Sequence, residues 1–146
     1  LVGSEMCIRD SLNMAYYILI FDEAWEVMLE KIKMAAHSAK TEKKSTMVVE
    51  THTQYINEVN ENDEVVIMLT FFDHDTKRLH LKLEMIEKKS KKLSASMEWI
   101  SLYIDLNIRK VTEFESNKIE IMNEFIDKNK INFNNNDLKF SSKLKK

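Results

Sequence analysis

The sequence predicts an α+β fold. Three observations carry that reading: a run from Asn13 with apolar residues at three- and four-residue spacing, later runs whose apolar residues recur at every second position, and a chain order that puts the helix before the strands. With 146 residues, 44% of them hydrophobic, the chain suffices for about one domain with its own core.

The helix is expected from Asn13 to about Met34. Ile18, Phe21, Trp25, Met28, Leu29 and Ile32 share one side, with Asp22, Glu23, Glu26, Glu30 and Lys33 mostly opposite. Asn13 is a good N-cap because its short side chain can accept a hydrogen bond from the first turn. The first two turns, Met14 to Phe21, are apolar all round, so that end is expected to be buried on every side. His37 to Ser45 is polar and reads as a loop.

Period two follows. Met47, Val49, Thr51, Thr53 and Tyr55 alternate with Val48, Glu50, His52 and Gln54. Val65 to Phe72 is rich in β-formers without clean alternation, which predicts a strand buried on both faces. Leu79, Leu81, Leu83 and Met85 alternate strictly with His80, Lys82, Glu84 and Ile86, and Leu93 to Ile104 makes a fourth, long strand. The segments 73–77 and 88–92 are hairpin turns. A second amphipathic helix is expected from Glu115 to Asp127. The chain from Lys128 is rich in Asn, Lys and Ser and is expected to fray.

Composition excludes several functions. Lys plus Arg total 22 and Asp plus Glu 24, and a net charge of −2 is not that of a generally basic nucleic-acid binder. The longest apolar run, Met14 to Phe21, falls far short of the roughly 20 residues a membrane helix needs, so no membrane partner is expected. One cysteine, Cys7, permits no internal disulfide, which fits a cytoplasmic setting, and no Cys or His spacing suggests a structural zinc site. With Gly3 the only glycine and no proline, later turns must use Asn, Asp, Ser and Lys.

Residues 1–11 differ from the rest. They hold the only Gly and the only Cys, lack the periodicity that follows, and resemble translated adapter read-through. The expectation is a foreign segment at 1–11, a domain at 12–127 whose first strand is missing, and a polar tail at 128–146.

A long apolar helix followed by four antiparallel strands in meander order is what a hotdog fold needs, the strands wrapping a central helix. Asn13-Met14-Ala15-Tyr16-Tyr17 followed by Phe21-Asp22-Glu23-Ala24 resembles the helix start of the 4-hydroxybenzoyl-CoA thioesterase superfamily. The runs Glu50 to Tyr55 and Asp73 to His80 resemble its betainyl-CoA thioesterase-like branch, which includes thioesterase portions associated with carnitine dehydrogenases. The resemblance spans roughly residues 12 to 112. It implies an acyl-CoA thioesterase acting on a short acyl-CoA, a homodimer or dimer of dimers, and no metal or other cofactor. Relatives carry an Asp-x-Asn-x-His-x-Asn pattern before the helix; with Asn13 as its last member the other positions are Cys7, Arg9 and Ser11, and only Asn13 matches. That mismatch leads to the expectation of a truncated copy with impaired catalysis. The alternative is a non-catalytic hotdog dimer that binds acyl-CoA or a protein partner.

Thioester hydrolysis needs an attacking water and a stabilised oxyanion, and a helix N-terminus supplies N–H groups and positive potential. Asn13 is therefore a candidate catalytic residue, orienting the thioester, capping the helix, or both. Glu50 and His52, two apart in a strand, share a face, and a carboxylate can orient an imidazole for general-base work; a polar pair on a wet face is the other reading. Arg78, with Lys77 and His80, is a candidate for the CoA phosphates, or else part of a solvated hairpin. Tyr16, Tyr17 and Tyr55, with Trp25 and Trp99, are candidates to receive a quaternary ammonium by cation–π attraction, or are plain core. Asp73, His74 and Asp75 sit too close together in one turn to converge on an ion, so no metal is expected.

Overall fold

The computed structural model describes residues 12–130 and 138–145. Helix α1 (Met14–Lys31) is followed by a short α2 (Ala36–Thr41), strands β1 (Lys44–Tyr55), β2 (Val65–His74), β3 (Arg78–Glu87), β4 (Leu93–Asp105) and β5 (Lys110–Val111), helix α3 (Ser116–Asn129), and a 3-10 turn at Ser141–Lys143. The segment 1–11, read as foreign, lies outside the described residues.

Strands β1 to β4 form one antiparallel sheet in the order β1-β4-β3-β2, with β5 adding to β4. The last three are a meander, as expected. β1 is not: it crosses to pair with β4, from Lys44 opposite Asp105 to Tyr55 opposite Ala95. A β1–β2 hairpin would have left β4 at an edge, and β4 is the strand buried on both faces. Irregularities between Val48 and Glu50 and between Phe71 and Asp73 place an extra residue in each outer strand and curve the sheet.

The alternation of β3 is realised in full. Leu79, Leu81, Leu83 and Met85 point to one face, opposite Ser101, Trp99, Met97 and Ala95 of β4, and all four are fully buried. Tyr17, Phe21, Trp25, Met28 and Leu29 of α1 join them in one core. The Trp25 and Trp99 rings meet edge-on at 5.4 Å, which fixes the face on which α1 lies. A helix laid along one side of a curved antiparallel sheet is the arrangement the hotdog expectation required.

Several expectations are corrected. Met14, Ile18 and Leu19 are exposed, Met14 at 63%, because a single sheet buries one stripe of a helix and leaves the other uncovered. The β2 run is not buried on both faces: at the sheet edge, Val66 and Met68 point away from the core and are half exposed. The loop at 37–45 instead holds α2, closed by Thr41 Oγ1 donating to the His37 carbonyl at 2.9 Å, and β1 starts at Lys44. Left-handed residues fall at Lys33, Lys43, Asn62, Lys91 and Arg109, so lysine more than asparagine does the turning. The polar tail does not simply fray, since residues 138–145 lie against the sheet and Phe140 is buried.

Candidate active site

The amino end of α1 is capped as expected. Asn13 is extended (φ −70°, ψ 147°) and its Oδ1 accepts from the Ala15 N–H at 3.0 Å. No acidic side chain occupies the first turn, where the positive pole of the helix dipole lies. Asn13, Met14 and Ala15 are exposed.

One turn further, Tyr17 is buried. Its hydroxyl accepts from the Val59 N–H at 3.2 Å, and burial pushes its phenol above the ordinary value. The Tyr55 ring stands against it, centroids 5.3 Å apart at 78°, with 47% of Tyr55 exposed. Helix start and strand end thus combine to form a half-open aromatic corner. Tyr16 beside it is partly buried. A cavity of about 520 Å³ is lined by Leu12 and Ile20 together with Val59, Asn60, Val65 and Ile67.

Glu50 and His52 lie elsewhere. Thr51 opposes Trp99 and Tyr55 opposes Ala95, so odd-numbered positions here face α1; Glu50 opposes Ile100 and His52 opposes Glu98, on the outer face. The sheet therefore separates both residues from Asn13. The Glu50 carboxylate meets Lys143 Nζ at 3.2 Å, and the His52 Nε2 is buried with no hydrogen-bond partner.

Arg78 is tied into the β2–β3 turn. Its Nη1 donates to Asp75 Oδ2 at 2.8 Å, while the backbone N–H groups of Lys77 and Arg78 reach Asp75 Oδ1 at 2.8 and 2.7 Å. Burial would raise the Asp75 carboxyl, but these donors and the Lys145 N–H together hold it below the ordinary value. His74 fastens the same turn to α3 through Asn123, 2.8 Å from its Nε2. Among the described residues no group of three His, Cys, Asp or Glu is placed to hold a metal ion.

Two buried clusters were not anticipated. His80, expected near phosphate, is sealed under the outer face with its Nε2 2.7 Å from Glu98 Oε1. Lys118 is buried among α1, α2 and α3, where its ammonium donates to the carbonyl of Lys33. The available signal was a lone Glu inside the long apolar β4 run, and a lone Lys on the apolar side of α3; charges there must be paired.

Residues 9–128 match the Thioesterase-like superfamily. The betainyl-CoA thioesterase of Pseudomonas aeruginosa is 26% identical over 101 residues, 69% of this chain and 64% of that protein, so the chain spans just under two thirds of that relative's length. A Staphylococcus aureus hypothetical protein solved in complex with CoA superposes with a TM-score of 0.81 at 21% identity, covering 86% of this chain and 80% of the other. A putative thioesterase of Pseudomonas putida KT2440 gives 0.78 at 21%, covering 99% and 90%. The 1,4-dihydroxy-2-naphthoyl-CoA thioesterase of Synechocystis gives 0.69 at 15%, covering 79% and 85%. At these identities the likenesses establish the shared hotdog fold.

Proposed function

This chain belongs to the thioesterase-like superfamily, and from that premise we propose that it hydrolyses a short acyl-CoA to the free acid and CoA at the amino end of α1. The observation that carries the reading is the helix end itself, with Asn13 exposed and no carboxylate in the first turn. Water adds to the thioester carbonyl, negative charge gathers on its oxygen, and the end of α1 stabilises that charge; the carbonyl then re-forms as the C–S bond breaks, and the proton given up by the water ends on the CoA thiolate. Asn13 orients the carbonyl while keeping its cap. Glu50 and His52, on the outer face, are left out of this reaction, and Arg78 is committed to Asp75.

The substrate we assign is betainyl-CoA or another small cationic acyl-CoA. The similarity to the betainyl-CoA thioesterase supports this, and so does the edge-on pair of Tyr17 and Tyr55, whose faces attract a quaternary ammonium. Tyr16 lies beside that corner. The protein works as a homodimer or dimer of dimers in the cytoplasm: β1 is a sheet edge on which Met47, Val48 and Val49 are exposed, and a second copy would complete it.

The deciding experiment is release of free thiol from a panel of acyl-CoAs. Betainyl-CoA is compared with tert-butylacetyl-CoA, its uncharged isostere. Asn13→Asp, which keeps the cap but adds negative charge, is expected to lower kcat about tenfold or more. Glu50→Gln and His52→Ala are expected to leave it unchanged. Binding of CoA in calorimetry without any thiol release would replace this reading with a non-catalytic acyl-CoA binder. Sedimentation of a folded monomer would remove the dimer.

A further inference from the structure

The outer face of the sheet carries a row of polar groups that the proposed reaction does not use. Glu98 lies at its centre, with His80 bonded at 2.7 Å and Lys82 opposite on β3, and with His52 opposite and Glu50 next along β1. The final described segment runs over this row. The Lys139 N–H spans both Glu98 oxygens at 3.0 and 2.8 Å, and the Phe140 N–H donates to Oε1 at 2.9 Å. Further on, Lys143 pairs with Glu50, and the Lys145 N–H donates to Asp75 Oδ2 at 2.9 Å. Phe140 is the one fully buried apolar side chain of the segment.

We propose that residues 138–145 form a strap, latched by the Glu98 and Asp75 carboxylates, that undocks as one unit and exposes the imidazoles of His52 and His80. The segment adds no strand to the sheet; it is held by amide groups aimed at two carboxylates, by the exposed Lys143–Glu50 ion pair and by one ring. Such a latch has two satisfied states. Docked, the buried carboxylates accept hydrogen bonds from N–H donors; undocked, water replaces those donors. A half-docked strap leaves a carboxylate both covered and short of donors, which is the costly arrangement, so the two ends release together. The orphaned His52 Nε2 lies on this same face and gains water when the strap lifts.

Carbethoxylation by diethyl pyrocarbonate, followed by peptide mass spectrometry, reads this directly. In the full chain His52 and His80 are expected to react about tenfold or more slowly than exposed His37. Lys139→Pro deletes the N–H that spans Glu98 and is expected to speed both about tenfold, with His37 unchanged. Equal rates in parent and variant, or parent His52 and His80 reacting as fast as His37, overturn the proposal. Should Lys139→Pro fail to fold, Phe140→Ala serves the same comparison. Hydrogen exchange on the unaltered chain supplies the second test: the amides of Lys139, Phe140 and Lys145 are expected to exchange together and well before those of β3 and β4. Independent exchange, or exchange only with the core, rejects a separable strap.

Discussion

The ammonium of Lys118, only 2% exposed, lies 2.8 Å from the Glu42 carboxylate and donates to the carbonyl of Lys33. One side chain thereby joins α3 to the end of α1, where Lys33 adopts φ 57°, and to the carboxyl end of α2. A cation there also lies at the negative pole of α1. The Lys118 hydrogen bond, with help from Ser38, holds the Glu42 carboxyl below its ordinary value.

Lys118→Met keeps the length and removes the charge. It is expected to cost about 2–4 kcal/mol, because the Lys33 carbonyl loses its donor inside the fold and Glu42 loses its counter-charge. Glu42→Gln leaves the buried ammonium without its counter-charge but keeps the Lys33 carbonyl, and because half-exposed Glu42 can be replaced by water it is expected to cost less, about 1–2 kcal/mol. Urea unfolding of both variants checks the order, and a larger loss at Glu42 would contradict it.

Glu98 is the second buried charge. Burial acts to raise its carboxyl, yet the Lys139 N–H, His80 and the Phe140 N–H together hold it below the ordinary value. His80→Ala removes one partner of this buried pair and is expected to cost about 3 kcal/mol. Thermal unfolding of His80→Ala beside His80→Gln measures it, the glutamine retaining a donor and more of the stability.

Acid should weaken the fold through the same groups. Asp75 and Glu98 both have folded values below their ordinary 3.8 and 4.5, so the native state binds fewer protons than the unfolded chain in that range. Their contribution is complete above those ordinary values and is lost as pH falls through the lower folded ones. Tm is expected to hold steady from neutral pH to about 5 and to fall below about 4. Asp75→Asn should start lower at neutral pH and fall less steeply in acid; an unchanged acid limb would deny Asp75 this role.

Tyr17→Phe deletes the hydroxyl that accepts the Val59 N–H and is expected to cost about 1–2 kcal/mol. Tyr55→Leu spares that bond and removes only the exposed ring. It is expected to raise KM for betainyl-CoA about two- to fivefold while leaving tert-butylacetyl-CoA unaffected. Equal effects on the two substrates would make Tyr55 an ordinary apolar contact.

Leu81→Ala opens a cavity beneath α1 at a fully buried position and is expected to cost about 2–5 kcal/mol. The same change at half-exposed Met68, on the edge strand, is expected to cost less than about 1 kcal/mol. Denaturant midpoints of the pair measure how completely the helix side of the sheet is the core.

Local periodicity placed α1, β3, β4 and α3 within a few residues, and it found the Asn13 cap, because each of these depends on neighbours in sequence and on which face turns inward. The Tyr17–Tyr55 corner joins residues that the sequence had already singled out separately. Burial of charge was only partly legible. Glu98 stands alone in the apolar β4 run and Lys118 alone on the apolar side of α3, but His80 looks like any surface residue of a polar alternation until the tail closes over it. The placement of Glu50 and His52 was half legible: period two put them on one face together, but nothing in their spacing says which face.

The chain order and the alternation of Leu79 to Met85 pointed to a long helix lying on a β-sheet, since one long apolar helical stripe followed by consecutive strands with an apolar face is buried most simply by packing the two together. Pairing was settled in three dimensions. β1 joins β4 and leaves β2 at an edge, a long-range choice governed by the burial of β4 on both faces, and that choice sends Glu50 and His52 to the side opposite Asn13. Where a side chain lies along its own element is a local matter; what stands across from it depends on contacts distant in sequence.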